Sequence, residues 1–380
     1  MPPSSLPTTK TGLKIVSIDA IPVNIPRTSV LGEGFRSSLG SARVSEYVIV
    51  LVKTDAGIVG LGEASSVFAR RGKVLHQEIA SFLAPALIGE NPFDIARLVD
   101  RMNVALDGAE PSKAALEMAL WDIKGKALET PVFELLGGRS RERIGLSFSI
   151  PFAPPAEAAT FAAELVQKGF KTVKLKVGKD FENDIATVKQ VRKAVGPDIR
   201  VRLDANMGFS DVKRSLAFIE RIADYDPEML EQPLAQRDLS GMAYLRDQAA
   251  IRIMADESVW TPYDAMEVIR HRAADVVSVY VSEAGGLLNA WRCFAICNAA
   301  GIPCVIGSMP ELGIGTAAAI HLGLSANDLP FDCDACGALY HTDDLILTPI
   351  RSENGFSYAP EGSGLGVELD HDALERFRAR

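Results

Sequence analysis

The strongest constraint on the fold is a regular interval between charged residues at the ends of short apolar segments. KTVKLKVG contains Lys176, and the segments VRLDAN, MLEQP and IMADES carry Asp204, Glu231 and Asp256. The successive steps along the chain are 28, 27 and 25 residues. A βα unit of a (β/α)8 barrel averages roughly 30 residues, and functional groups in that fold lie at the carboxyl ends of the strands. The spacing therefore predicts a barrel with these four side chains at one end.

Strand-like and helix-like segments alternate along the second part of the chain, residues 137–343. Helix-like stretches such as PAEAATFAAELVQKG and FENDIATVKQVRKAV separate the short apolar runs. Such alternation is typical of a parallel sheet, and seven or eight repeats close the sheet into a barrel. The predicted strands are residues 144–150, 172–177, 199–204, 229–231, 251–256, 276–280 and 303–307, with a weaker eighth near 330–333.

Residues 1–136 are predicted to form a separate α+β domain. Strand-like runs at residues 13–23 and 47–54 precede DAGIVGLGEA, whose glycines indicate a hairpin and a third strand. From residue 73 to residue 136 the apolar residues recur at helical spacing. This region ends in AALEMALWDIKGKALETPVFELLGG, which we interpret as a strongly amphipathic helix closing the domain. The last segment, residues 344–380, is expected to return to this domain.

A long connection, IPRTSVLGEGFRSSLGSAR, lies between the first two predicted strands and is rich in Gly, Ser and Arg. A connection of this length inside a compact domain is usually either functional or disordered. We predict a lid that closes over a bound ligand, with Arg27 or Arg36 available to bind a carboxylate. A solvated surface loop is the alternative interpretation.

Composition and charge narrow the class of partner. The 380 residues are 47% hydrophobic and 23% charged, as in an ordinary globular protein. The net charge of −9 argues against binding to nucleic acid or an anionic membrane, because no basic excess is present to neutralise them. No apolar run reaches the roughly 18 residues that span a bilayer. Because the five cysteines do not resemble a secreted disulfide framework, we expect a cytoplasmic protein with a small-molecule partner. A homo-oligomer is also expected.

The two lysines of KTVKLKVG, Lys174 and Lys176, lie two residues apart and so project from the same face of a strand. Three carboxylates at the same barrel end raise one another's pKa unless a cation is present. Oxygen ligands without nearby His or Cys favour a hard metal, Mg2+ first and Mn2+ second. The alternative is that each acid only caps a helix, which accounts for any one of them but poorly for all three.

A lysine whose pKa is lowered by a neighbouring lysine and a metal is a usable base near neutral pH. Such a base suits removal of the proton α to a carboxylate, provided that a metal holds the carboxylate oxygens. A structural salt-bridge pair inside the barrel is the alternative role for Lys174 and Lys176.

KTVKLKVG, RLDAN, LEQP and ADES, in this order and spacing, resemble the enolase superfamily, specifically its muconate lactonizing enzyme subgroup. The resemblance extends from YVIVLVKTDAGIVGLGEA to GSGLGVELD, nearly the whole chain. It implies an α/β fold: a modified TIM barrel, (β/α)7β, with an N-terminal α+β capping domain completed by the C-terminal segment. It also implies an Mg2+-dependent isomerase or lyase that abstracts the α-proton of a small carboxylate through an enolate.

Carried over residue by residue, the resemblance implies that Asp204, Glu231 and Asp256 bind Mg2+ and that Lys176 is the acid/base. Lys174 would lower the pKa of Lys176 and contact the substrate. No histidine lies in GSMPELGIG, so the His-based mandelate racemase subgroup is not expected. The other implied site residues lie beside ligands or after the seventh strand, and they are Asn206, Gln232, Ser308 and Glu311.

The sixth predicted strand departs from the subgroup's pattern. DVVSVYVSEAGG carries Tyr280 where the subgroup usually has a second lysine. Tyrosine is a poor base because its unperturbed pKa is about 10. The substitution favours cycloisomerisation or β-elimination from the Lys176 side alone. Two alternatives stay open: a racemase or epimerase that uses Lys176 and Tyr280 on opposite faces, and a non-catalytic carboxylate-binding member of the fold.

Overall fold

The computed structural model describes residues 12–28, 35–66 and 71–379. Residues 29–34 of the predicted lid therefore lie outside the described residues. The chain folds as a seven-stranded parallel sheet curled into a barrel, with a separate three-stranded sheet near the N-terminus. The predicted fold class is confirmed.

The N-terminal part of the chain contains the strands β1 (Ile15–Pro26), β2 (Phe35–Ser37), β3 (Gly40–Ala42), β4 (Val44–Thr54) and β5 (Val59–Ala64). The N-terminal sheet is antiparallel, with the strand order β1–β4–β5. Its β-branched residues make long, well-paired strands, and Ile21 of β1 faces Ile49 of β4. A short hairpin, β2–β3, occupies the connection between β1 and β4, where the sequence predicted an irregular loop.

Helices follow this sheet, as predicted. They are α1 (Gly72–Gln77), which continues into a π-helix (Glu78–Leu83) and a 3-10 turn (Ala84–Ala86), then α2 (Ile95–Ala105), α3 (Glu110–Leu128) and α4 (Val132–Leu135).

The prediction that α3 is amphipathic was wrong, because this helix is buried on nearly every side. Two glycines of β5 let the sheet approach it closely: a Cβ on Gly62 would lie 1.8 Å from the carbonyl oxygen of Ala115. On the other side, Glu117 accepts hydrogen bonds from the backbone amides of Leu287 and Leu288. Helix α3 therefore joins the N-terminal sheet to the barrel.

The barrel strands run in parallel in chain order, and neighbouring strands are hydrogen-bonded. Their register places Lys176 opposite Asp204, and Asp204 opposite Glu231. These three side chains thus lie at one level of the sheet, and Asp256 lies two residues beyond Met254, the residue that pairs with Glu231. The strands are β7 (Ser147–Ile150), β8 (Thr172–Lys176), β9 (Arg200–Asp204), β10 (Met229–Glu231), β11 (Arg252–Ala255), β12 (Val276–Val279) and β13 (Cys304–Ile306), preceded by β6 (Ile144–Gly145).

The predicted eighth strand near residues 330–333 is shortened to a single bridge at its end. Cys333 makes only an isolated bridge with Leu146, through hydrogen bonds of 2.8 Å to Gly145 and Ser147. The amide of Asp334 donates to the carbonyl of Ile306 at 2.8 Å. Two residues therefore span the gap between β13 and β7, too few to form a strand.

Helices cover the outside of the barrel, and aspartates cap several of them, as Asp180 does by accepting a hydrogen bond from the amide of Asn183. These helices are α5 (Pro155–Gln167), α6 (Phe181–Val195), α7 (Val212–Ile222), α8 (Leu239–Gln248), α9 (Pro262–His271), α10 (Leu287–Ala299) and α11 (Gly313–Ser325), with a 3-10 turn at Ala223–Tyr225.

The C-terminal segment contacts both parts of the chain. A 3-10 turn (Gly337–Tyr340) precedes β14 (Ser352–Glu353) and β15 (Phe356–Ser357), which pair with β6. Helix α12 (His371–Phe377) follows, and the amide of Ala379 donates to the carbonyl of Pro22 in β1 at 2.8 Å. Among the described residues, the helices are all too short or too polar to cross a membrane.

Candidate active site

A cavity lies between the carboxyl ends of the barrel strands and the β2–β3 hairpin. Ser37, Leu39 and Ala42 line it from the hairpin side. Ser38 of the hairpin donates a hydrogen bond to the carbonyl of Val177 at 3.1 Å, which holds the hairpin against the barrel. The predicted site residues that line the cavity are Lys174, Lys176, Asp204, Asn206, Asp256, Tyr280, Ser308 and Arg27.

Lys176 lies at the end of β8 with its ammonium held by two acceptors. Its Nζ is 2.5 Å from Oδ2 of Asp204 and donates to Oδ1 of Asn206 at 2.7 Å. The amide nitrogen of Asn206 in turn donates to Oε1 of Glu257 at 3.0 Å. Because Glu257 takes the amide hydrogens, the carbonyl oxygen of Asn206 is the atom that faces Lys176.

Lys174 is more deeply buried than Lys176 and contacts three carboxylates. Its Nζ lies 2.5 Å from Asp334, 3.0 Å from Glu231 and 3.3 Å from Asp204. Burial favours the neutral amine, but these anions outweigh it and raise the pKa of Lys174 well above its usual value. Lys174 is therefore a fixed cation in this arrangement.

The three predicted ligands differ in charge state. Burial disfavours the ionised form of all three, but the ammonium groups of Lys176 and Lys174 hold the pKa of Asp204 down to about 2. Burial and the charge of Asp204 raise the pKa of Glu231 well above its usual value. Burial and the charge of Glu257 raise the pKa of Asp256 to about 8. The two lysines therefore compensate only part of the negative charge.

Tyr280 follows β12, and its hydroxyl donates to Oδ2 of Asp256 at 3.0 Å. Burial and the Asp256 charge raise the pKa of the phenol well above its usual value. The ring lies against Gly307, where an added Cβ would be 2.2 Å from Cε2 of the tyrosine. The glycine at this position leaves the space that the aromatic ring fills.

Gln232 is buried directly behind the carboxylates. Its side-chain oxygen accepts hydrogen bonds from the amides of Asp256 and Ser258, at 2.9 and 3.2 Å. Its side-chain nitrogen donates to the carbonyl of Leu234 and to Oγ of Ser258. Because its side-chain oxygen and nitrogen are both hydrogen-bonded, Gln232 fixes the turn that carries Asp256.

Ser308 lines the cavity, whereas Glu311 lies behind it. The Ser308 hydroxyl donates to Oε2 of Glu311, and the amide of Met309 donates to Oε1 at 2.9 Å. Burial raises the pKa of Glu311. The loop after β13 is further held by Glu63 of β5, which accepts from the amides of Leu312 and Gly315 at 2.8 Å. Glu63 was missed in the sequence, because nothing in DAGIVGLGEA marks it as a partner of a distant helix.

Of the two loop arginines, Arg27 lines the cavity from the end of β1. Arg36 lies on β2, and its carbonyl accepts from the amide of Phe152 at 3.2 Å. Ser37, next to Arg36, lines the cavity on that side. The closure of this loop as a lid stays a prediction.

Two further acids at the site were missed. Asp334 binds Lys174 and also accepts a hydrogen bond from the hydroxyl of Ser147. It follows the weak eighth apolar segment in FDCDACG, so the rule that identified Asp204 would also have found it. Glu257 stands next to Asp256 in ADES and could have been recognised only through its contact with Asn206.

The donor set fits a hard divalent cation in its chemistry. Asp204, Glu231 and Asp256 offer only oxygen ligands, and Oδ1 of Asp256 is buried without a hydrogen-bond partner among the described residues. As the side chains stand, no three His, Cys, Asp or Glu groups in residues 12–28, 35–66 and 71–379 converge closely enough to hold an ion. The Lys174 ammonium lies against Asp204 and Glu231 instead.

Comparison with known proteins agrees with this fold. Residues 22–137 match the mandelate racemase / muconate lactonizing enzyme N-terminal domain, and residues 157–373 match the enolase C-terminal domain-like family. The barrel and its capping sheet define an enolase-superfamily fold. The chain belongs to the mandelate racemase / muconate lactonizing enzyme family, as its motifs predicted.

Curated relatives cover almost the full length. An N-succinyl-L-Arg/Lys racemase from Bacillus cereus is 31% identical over 96% of this chain and 98% of the relative. A hydrophobic dipeptide epimerase from Enterococcus faecalis is 35% identical over 89% of this chain and 96% of the relative. A chloromuconate cycloisomerase from Cupriavidus necator is 31% identical over 96% and 99%. These relatives are isomerases, which confirms the prediction of an enzyme.

A solved structure shares the whole architecture. The muconate lactonizing enzyme from Pseudomonas fluorescens, complexed with muconolactone, superposes with a TM-score of 0.93 at 30% identity, over 97% of this chain and 100% of that one.

Proposed function

We propose that the protein abstracts the α-proton of a small carboxylate with Lys176 as the acid/base, in an Mg2+-dependent reaction that uses one face of the substrate. The outcome is cycloisomerisation or β-elimination. The observation that carries this proposal is the difference between two side chains that line the cavity. Lys176 offers an amine held by Asp204 and Asn206, whereas Tyr280 offers a phenol whose hydroxyl donates to Asp256.

Asp204, Glu231 and Asp256 would hold Mg2+, with Mn2+ as the second choice. When bound, the cation would neutralise the substrate carboxylate and the negative charge that develops as the α-proton leaves. Gln232 supports this role by fixing the backbone at Asp256 through the amide hydrogen bond of 2.9 Å.

Lys176 must take a proton from the substrate and return it while its Nζ is constrained to one position. Asn206 provides that constraint, because its carbonyl oxygen accepts from Nζ and its amide is fixed by Glu257. Lys174 serves as a permanent positive charge beside the substrate carboxylate, since the acids around it keep it protonated. Ser308, oriented by Glu311, offers a hydroxyl at the cavity wall.

Tyr280 is poorly suited to act as a second base. An effective general base has a pKa near the operating pH, but burial and Asp256 move the pKa of this phenol upward. Its hydrogen is also committed to Asp256. Because Tyr280 is not a base of suitable pKa, the proposed reaction uses only the substrate face that Lys176 reaches.

An epimerase or racemase is the second candidate, and the relatives named as racemase and epimerase favour it. Tyr280 would then deliver a proton to the face opposite Lys176. A non-catalytic carboxylate-binding protein is the third, and it would retain the cavity without proton transfer.

Exchange in D2O separates these three functions. The Mg2+-loaded protein is incubated with N-succinyl-L-lysine, with the dipeptide L-Leu-L-Tyr and with muconolactone, and the α-proton is followed by NMR. One-face chemistry introduces deuterium with retention of configuration, whereas two-face chemistry inverts the centre. Absence of exchange with all three probes, together with binding of at least one, would support the non-catalytic protein and reject the proposal.

A further inference from the structure

Two buried glutamates from the N-terminal part of the chain accept hydrogen bonds from the amides at the beginning of two barrel helices, α10 and α11. Glu117 of α3 and Glu63 of β5 are both fully buried. Burial raises the pKa of Glu117 to about 7 and the pKa of Glu63 to about 8. Burial of an acid is costly unless its oxygens are hydrogen-bonded. Both carboxyl groups therefore require the barrel amides that they contact.

Glu117 uses both of its carboxylate oxygens at the beginning of α10. Oε2 accepts from the amide of Leu287 at 2.8 Å, and Oε1 accepts from the amide of Leu288 at 2.9 Å. Oε1 also accepts from the indole nitrogen of Trp121 at 2.6 Å, which fixes the carboxylate on its own helix. The approach is close, because a Cβ on Gly286 would lie 2.4 Å from Oε2. The beginning of α10 therefore packs directly against this carboxylate.

A short hydrogen-bonded turn joins the beginning of α10 to Tyr280, which lines the cavity. The amide of Ala284 donates to the carbonyl of Tyr280 at 3.1 Å, and the amide of Gly286 donates to the carbonyl of Val281 at 2.9 Å. These bonds leave the turn little freedom of its own. A displacement of the beginning of α10 would therefore be transmitted to Tyr280.

Glu63 makes the equivalent contact at the beginning of α11. Its two carboxylate oxygens accept from the amides of Leu312 and Gly315, each at 2.8 Å. The loop before this helix carries Met309, which lines the cavity. The hydroxyl of Tyr47 in β4 donates to the carbonyl of Met309 at 2.6 Å. The N-terminal sheet therefore holds this loop at two points.

The N-terminal domain and the barrel both contribute to the wall of the cavity. The β2–β3 hairpin supplies one part of this wall, and the residues that follow β12 and β13 supply another. We propose that Glu63 and Glu117 are positioning residues, which set the separation of these two parts. Glu117 fixes the place of Tyr280, and Glu63 fixes the loop that carries Ser308 and Met309. Both glutamates act through the backbone of the barrel and not by contact with a ligand.

The NMR signals of two side chains test this role. Tyr280 is followed in protein labelled with 13C in the tyrosine rings, and Met309 in protein labelled in the methionine methyl groups. Each signal is assigned by its absence in Tyr280→Phe or Met309→Leu. Glu117→Gln should shift the Tyr280 signal more than the Met309 signal, and Glu63→Gln should do the reverse. Glutamine keeps the shape of the side chain, but only its oxygen can accept from a backbone amide.

Hydrogen exchange measured by mass spectrometry gives the size of the effect. Exchange of peptides within residues 281–290 should be about 10- to 100-fold faster in Glu117→Gln than in the wild-type protein, as the loss of a hydrogen bond to a charged group provides. Exchange within residues 308–316 should accelerate by a similar factor in Glu63→Gln. Glu63→Asp and Glu117→Asp keep the charge but shorten the side chain, and they replace any Gln variant that does not fold.

Asp211→Ala is the matched control, because Asp211 caps the barrel helix α7 by accepting from the amide of Arg214 at 2.9 Å. Loss of this cap should lower the melting temperature but leave the Tyr280 and Met309 signals and both sets of peptides unchanged. Equal shifts in all three variants, or unchanged signals and exchange in both glutamate variants, would overturn the proposal. These measurements require no substrate, so their outcome is independent of the proposed reaction.

Discussion

The hydroxyl of Tyr280 donates to Oδ2 of Asp256 over 3.0 Å, which ties the residue in the sixth-strand position to a predicted metal ligand. Lys176 contacts Asp204 and Asn206. The two residues on which one-face and two-face chemistry depend are therefore held by different acids.

This arrangement predicts unequal effects of substitution at the two positions. Lys176→Ala should lower turnover by about 100- to 10,000-fold, the typical contribution of general acid–base catalysis. Tyr280→Phe keeps the ring and loses only the hydroxyl, so turnover should fall by less than about tenfold. Turnover and α-deuterium exchange are measured for both. Retained exchange with complete loss of turnover in Tyr280→Phe would show that Tyr280 delivers the second proton.

Metal binding should depend on the buried acids. Glu231→Gln leaves the hard cation with two carboxylates, so the rise in melting temperature that Mg2+ produces in the wild-type protein should be lost. The measurement is differential scanning calorimetry with and without Mg2+. Asp343→Asn is the control, because Asp343 is an exposed acid paired with Arg376. An unchanged Mg2+ response in Glu231→Gln would contradict the ligand assignment.

The packing of Tyr280 against Gly307 can be tested by stability. Gly307→Ala introduces a Cβ 2.2 Å from the ring, so it should destabilise the protein by about 1–3 kcal/mol. Combination with Tyr280→Leu should recover part of this loss, since the smaller side chain releases the contact. The free energies of unfolding of the two single variants and the double variant, measured by chemical denaturation, give the coupling free energy between the two positions. Strictly additive losses would mean that the two residues do not interact.

The sequence could predict that three charged side chains lie at the same height in the barrel, those of Lys176, Asp204 and Glu231. Parallel strands of similar length carry their terminal residues to one end of a barrel, so spacing along the chain becomes proximity in space. The same rule extends to Asp334. Residue spacing alone thus identified the chemically distinctive part of the site.

Other features depend on partners far apart in the chain and leave no local signal. The burial of α3 arises from close approach by β5 and from the loop before α10, neither of which changes the periodicity of the helix itself. Ser45 and His341, which help to hold Arg27, are 296 residues apart. The raised pKa of Lys174 depends on four acids from different strands and loops. Such relationships require the folded structure.

His321 should make stability depend on acid. It is fully buried on α11, accepts a hydrogen bond from the amide of Phe133 at 3.2 Å, and donates to the carbonyl of Leu365 at 3.1 Å. Burial lowers its pKa to about 4 from an ordinary value of 6.5. Between these values the unfolded chain binds a proton that the folded protein does not. Stability therefore falls as the pH falls from 6.5 to 4, by about 3 kcal/mol for this group.

The measurement is the free energy of unfolding by urea at pH 7, 6, 5 and 4, compared between the wild-type protein and His321→Gln. Glutamine can keep an acceptor and a donor but does not titrate, so the variant should be less stable at pH 7 and should lose less stability on acidification. Burial also lowers the pKa of His341, which is present in both proteins. Its contribution to the acid dependence therefore cancels when the wild-type protein and His321→Gln are compared. His271→Gln, at an exposed position on α9, is the matched control and should retain the wild-type slope. Equal slopes for the wild-type protein and His321→Gln would show that the buried imidazole is not the source of the acid dependence.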